Sequence, residues 1–137
     1  MPLSLVGPLD VTTPGLALVD SGCDHLLAAP WLADEAGIDP NSSHKELTLG
    51  LGGEPVHIRF VDIRVRLYAP GGDDNDYVEW DDEVGFVRQW KPTWPMLAGQ
   101  RRFLERFTVT TSYLARATSV EEGSVFDQRY GIPMARA

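Results

Sequence analysis

The stretch from residue 46 to residue 67, ELTLGLGGEPVHIRFVDIRVRL, leaves the chain little choice of fold. Val56, Ile58 and Phe60 alternate with polar residues, and the alternation resumes one position out of step at Val61, Ile63, Val65 and Leu67. A period of two puts successive side chains on opposite faces of a strand, so the run reads as a long strand and not as a helix. The slip predicts a β-bulge or a strand that changes faces. Ahead of it, Gly50, Gly52 and Gly53 interrupt a second apolar run, and glycine accepts the positive φ of a tight turn. A hairpin with a glycine-rich tip follows.

The rest of the chain is punctuated in the same way. With 13 glycines and 10 prolines in 137 residues, short elements joined by turns fit better than a helical bundle. The segment LSLVG within residues 2–10 lies between prolines and predicts an edge strand. Leu16 to Val19 predicts a short buried strand. Residues 29–37, APWLADEAG, predict a short helix with Pro30 in its first turn and Gly37 as its stop. VGFVRQW (84–90), WPMLAG (94–99) and TVTTS (108–112) read as further strands, and QRRFLERF (100–107) as one or two helical turns. The acidic stretch 70–83, PGGDDNDYVEWDDE, predicts a solvated hairpin tip, and its spacing does not match an EF-hand calcium loop. Residues 113–137 show no strong period and read as a tail or an added pair of strands. The sum is an all-β chain, a small barrel or sandwich with one or two short helices.

Composition narrows the function. Twelve basic against 20 acidic residues give a net charge of −8, which argues against a polyanionic nucleic-acid partner. The single cysteine, Cys23, excludes an intrachain disulfide and a Cys-rich metal site. His25, His44 and His57 lack zinc-ligand spacing, so no metal or cofactor is expected. No apolar run approaches a membrane span and no signal pattern opens the chain, so no membrane partner and a cytoplasmic location are the expectation. Trp80, Trp90 and Trp94 read as core or interface residues.

One stretch carries chemistry. The apolar run Leu16 to Val19 ends in Asp20-Ser21-Gly22. These are turn formers, and a plain turn is the simplest account. A carboxylate at the end of a buried strand, however, must be hydrogen-bonded, paired or functional. Two such aspartates side by side share a proton; one then serves as base toward a water and the other as acid toward a scissile carbonyl. The chain holds one such triplet, so the second aspartate would come from a second copy through two-fold symmetry. Cys23 and His25 are a poor thiol–imidazole pair, since they lie two residues apart on one loop with no orienting partner evident.

Four segments in order resemble the retropepsin-like aspartic proteases, the single-lobed retroviral type that works as a homodimer. LALVDSGCDH is similar to the catalytic loop, and LLAAPWLADEAGID to the segment after it. LGLGGEPVHIRFVDIRVRL (49–67) is similar to the flap, and WPMLAGQRRFLERFTVT (94–110) to the second signature, in which two apolar residues precede a glycine. Cys23 stands where alanine is commonest, Ala98 replaces a bulkier aliphatic, and residues 70–83 and 113–137 exceed the minimal pattern. The resemblance implies a closed retropepsin-like β-barrel with a flap hairpin over residues 1–112, and a C-terminal extension, 113–137, as added dimer strands or a tail. It implies Asp20 as half of the catalytic dyad, Ser21 bridging the two-fold axis and Gly22 completing the loop. Gly50, Leu51, Gly52 and Gly53 would form the substrate-binding flap tip. The substrate would be an extended polypeptide bound as an added strand, with apolar residues beside the cleaved bond. The alternatives are a catalytically idle binding or dimerisation module of the same fold, and an unrelated barrel that binds a small ligand.

Overall fold

The computed structural model describes residues 1–131. The sheet begins with β1 (Pro2–Val6), β2 (Thr12–Val19) and β3 (Leu26–Ala28), followed by helix α1 (Pro30–Ala36). β4 (Lys45–Leu51) and β5 (Glu54–Tyr68) form a hairpin, and β6 (Tyr77–Val87) and β7 (Met96–Ala98) complete the body. β8 (Phe107–Ser112), β9 (Ala117–Glu122) and helix α2 (Gly123–Tyr130) come last. Neighbouring strands run β1-β2-β7-β3-β6-β5, and β5 pairs back onto β1, so six strands close into a barrel. The expected all-β barrel with short helices is therefore present. β4 stands outside the ring and, among the described residues, pairs only with β5. Residues 132–137, the end of the expected extension, lie outside the described residues.

The barrel corrects several local readings. β1 is not an edge strand: Leu5 pairs with Thr13 on β2 and with Val65 on β5. Its proline is tolerated because pairing to β5 starts at Leu3, while Pro2 faces only Leu16 of β2. The slip in β5 is a change of face and not a bulge, since its register with β6 is unbroken from Ile58↔Val87 to Tyr68↔Tyr77. Val56, Ile58 and Phe60 bury one face against Leu27, Val87 and Leu97. Val65 buries the other face in the main core, with Leu3, Leu5, Trp80, Phe86, Met96 and Phe103. The strand leaves the hairpin to enter the closed wall, and the side that faces protein changes with it.

The acidic stretch is a tip only in part. The turn spans Ala69 to Asp76, whose carbonyl accepts the Ala69 N–H at 3.0 Å. From Tyr77 the chain is strand, with Trp80, Asp82 and Val84 turned inward. Asp82 is 2% exposed and accepts the Trp80 Nε1–H at 2.9 Å and the Glu83 N–H at 2.8 Å. Burial pushes its carboxyl above the ordinary carboxylate range. Residues 100–107 form no regular helix. Gln100–Leu104 is one irregular turn, with Arg102 at φ +60°. Its backbone is drawn off helical geometry by bonds to the loop after β2, described below. Phe103 and Phe107 then pack on Trp80, with ring centroids 6.3 and 5.2 Å away. Among the described residues β8 and β9 pair only with each other, as a second, two-stranded sheet. No helix among the described residues is long and apolar enough to cross a membrane.

Candidate active site

β2 and β3 are consecutive in the chain but not neighbours in the sheet. β7 lies between them, parallel to β2 through Leu18↔Leu97 and antiparallel to β3 through Leu27↔Leu97. The loop from Asp20 to His25 must therefore arch over the C-terminal end of β7. That end bonds to the loop along its length. Asp20 N–H donates to the Ala98 carbonyl at 2.9 Å, Gln100 N–H to Cys23 at 2.8 Å, and Arg101 N–H to Asp24 at 2.8 Å. Gly99 sits under the arch. A Cβ there would lie 2.4 Å from the carbonyl oxygens of both Cys23 and His25, closer than any carbon can approach.

The arch holds the aspartate in one pose. Asp20 Oδ1 accepts the Gly22 N–H at 2.9 Å, and the Cys23 N–H closes the turn onto the Asp20 carbonyl at 3.1 Å. Among the described residues the Asp20 carboxylate has no cationic partner. Ser21 is exposed, and its carbonyl accepts the Gln100 side-chain Nε2–H at 2.6 Å. Gln100 is thus a second clamp on the loop, and no local pattern signals it; it follows the glycine of the second signature. The strand leading in is less buried than expected. Ala17 faces the core, but Leu16 and Leu18, on the other side of β2, are 49% and 43% exposed. Asp20 itself is half-buried.

The loop makes no thiol site. Cys23 Sγ donates to the His25 carbonyl at 3.3 Å and not to its ring, and burial pushes the thiol up. The His25 ring packs on Phe60 at 4.7 Å, and burial lowers its pKa.

The glycine-tipped hairpin reaches the same region. Gly52 and Gly53 hold φ of +60° and +85°, whereas Gly50 lies within β4 without positive φ. Only two of the three glycines are therefore required by the turn. Leu47, Leu49 and Leu51 are half-buried on one side of β4. They pack on the cluster of Leu27, Val56, Ile58, Phe60, Val87 and Leu97, which also holds Cys23. One apolar surface therefore runs from the hairpin to the Asp20 loop.

A further polar group was not evident in the sequence. His44 Nε2 lies 3.1 Å from Glu83 Oε2, and His44 Nδ1 lies 3.8 Å from Asp62 Oδ2. Strand register brings them together, since Asp62 and Glu83 are partners on β5 and β6. The donor types suit a metal. Lys45 Nζ already sits 2.7 Å from Glu83 Oε1 and holds that carboxyl below its ordinary range, and His44 and Asp62 are open to water. This is the arrangement of a solvated ion-pair network.

No family model, no curated protein and no solved structure matches the chain.

Proposed function

We propose that the chain is one half of a retropepsin-like aspartic endopeptidase that acts as a homodimer. The observation that carries this reading is the clamped arch: Asp20 is fixed by Gly22 N–H, braced from below by Ala98 to Arg101, and left half-buried with no cationic partner among the described residues. A carboxylate held in one pose and left without a cation supports a second carboxylate as its partner. Two copies related by a two-fold axis bring their Asp20 carboxylates together. The pair shares one proton, because two adjacent anions repel. The ionised carboxylate takes a proton from a water between them, and the water attacks the peptide carbonyl. The protonated carboxyl gives its proton to that carbonyl oxygen, and the same groups then return a proton to the leaving amine. Ser21, exposed beside each aspartate, bridges the two loops.

The β4–β5 hairpin, with Gly50, Leu51, Gly52 and Gly53 at its tip, acts as the lid over an extended polypeptide. The apolar side of β4 and its shared cluster with Cys23 and Leu97 favour apolar side chains beside the cleaved bond.

The test is a peptide-library digest with wild type beside Asp20→Asn. The reading expects cleavage at mildly acid pH, blocked by a statine-type inhibitor and absent in the variant. Cleavage common to both proteins, or by neither, refutes it. Peptide binding without cleavage, unchanged by Asp20→Asn, would identify an idle binding module instead.

A further inference from the structure

The β8–β9 hairpin ends in a knob that stands open among the described residues. Tyr113 and Leu114 at its tip are 93% and 96% exposed, the most open large apolar side chains in the described chain. The tip is nevertheless a formed turn: Ala115 N–H donates to Ser112 Oγ at 3.1 Å, and Arg116 N–H to the Tyr113 carbonyl at 3.3 Å. Arg116 completes it at φ +50°. An apolar knob held in one shape, with a cation beside it, loses little freedom on docking.

The same chain carries a matching recess. Between the barrel and the inner face of β8–β9 lies a groove of about 630 Å³, walled by Leu18, Val19, Trp94, Val109 and Val120. Asp76 stands on its rim, at the end of the exposed acidic turn that also holds Asp73 and Asp74. The groove wall runs up to Thr111 and Thr118 beside the tip, yet Tyr113 and Leu114 stay almost wholly exposed, so the knob does not fill the recess of its own chain.

We infer that the occupant of this groove is the hairpin tip of a second copy. Tyr113 and Leu114 of each copy seat in the apolar recess of the other, and Arg116 meets the Asp76 rim. Two observations select a second copy over another partner. The charges match locally, in a chain whose net charge of −8 otherwise sets two copies against each other. The groove also runs along β2 to Leu18 and Val19, the residues just before Asp20, so a copy docked there lies beside the loop that the proposed dyad brings to the two-fold axis. The exchange is reciprocal, so it closes as a two-fold dimer. The inference rests on the homodimer reading and adds to it the surface and the anchors.

The experiment is sedimentation equilibrium of the full chain. The variants are Leu114→Asp, Arg116→Asp, Asp76→Arg and the double variant Arg116→Asp/Asp76→Arg. The altered side chains are exposed, and far-UV circular dichroism confirms that each variant folds. Wild type is expected to be a dimer, and Leu114→Asp to weaken it about 100-fold. Each single charge reversal weakens it about tenfold, and the double reversal restores wild-type affinity. A Leu114→Asp protein that dimerises like wild type overturns the inference, as does a monomeric wild type or an open-ended polymer. Failure of the dyad reads out separately. A wild type that dimerises through the tip and cleaves nothing removes the protease reading alone. A wild type that cleaves while Leu114→Asp stays dimeric removes the docking inference alone.

Discussion

Replacing Gly99 by alanine adds one carbon at the tightest point of the fold. The new Cβ would meet the Cys23 and His25 carbonyl oxygens at 2.4 Å and the His25 nitrogen at 2.9 Å. Ordinary carbon–oxygen contacts begin near ~3.3 Å, so the loop must lift by about 1 Å. All three atoms are backbone, and the loop is tied to β7 by the Asp20, Gln100 and Arg101 N–H bonds, so no side chain can swing aside. Overpacking of this kind costs about 3 kcal/mol, the upper part of its usual range. In urea unfolding that lowers the midpoint by about 1–2 M. In a thermal scan it lowers Tm by about 10 °C. The surviving folded protein carries Asp20 displaced, and on the proposed protease reading cleavage falls about 100-fold, as misplacement by ~1 Å does elsewhere. Gly50→Ala is the control, since open space surrounds that position, and it should stay within about 0.5 kcal/mol of wild type. A Gly99→Ala protein as stable as the control would refute the account of the arch.

Three further outcomes are expected. Gln100→Leu removes the side-chain bond to Ser21 at an exposed site, so stability falls by only about 1 kcal/mol; kcat falls about tenfold with KM kept, which steady-state kinetics separates. Gly53→Val puts a β-branched residue at φ +85° and strains the hairpin tip by about 1–2 kcal/mol; KM rises more than kcat falls, and an unchanged KM would remove the lid role. Asp82 has a raised pKa in the folded chain, so its contribution is fully present below the unfolded carboxylate value and is lost as pH rises through the folded one. Asp82→Asn should therefore gain on wild type as pH rises above the unfolded carboxylate value of about 4 in urea titrations, and parallel curves would contradict this. Glu83, held low by Lys45, acts with the opposite sign, but it is common to both proteins.

What could be read from the chain was local. The 46–67 run displayed its hairpin, its length and its change of face, because a period of two is written in neighbouring residues. α1 was equally visible from Pro30 and Gly37. Charge hid the first half of β6: Glu79, Asp81 and Glu83 alternate with Trp80 and Asp82, and the one inward acid looks like its outward neighbours until burial is known. In β1 the proline suggests an edge, yet Pro2 lies just before the second pairing begins. Asp20, Ser21 and Gly22 stood out as a triplet. The insertion of β7, the bond from Gln100 and the His44–Asp62–Glu83 group depend on residues tens of positions apart, and no single stretch encodes them.

The threading of β7 sets an order of events in synthesis. Its wedge, Met96–Ala98, is translated long after the two strands it separates. Until it emerges from the ribosome, β2 and β3 have no shared neighbour and the Asp20 arch has nothing beneath it. Pairings so distant in sequence close late and slowly. A nascent or truncated polypeptide ending before Met96 therefore holds Asp20 on an unbraced loop and, on the reading proposed above, cannot yet cut the chain that carries it.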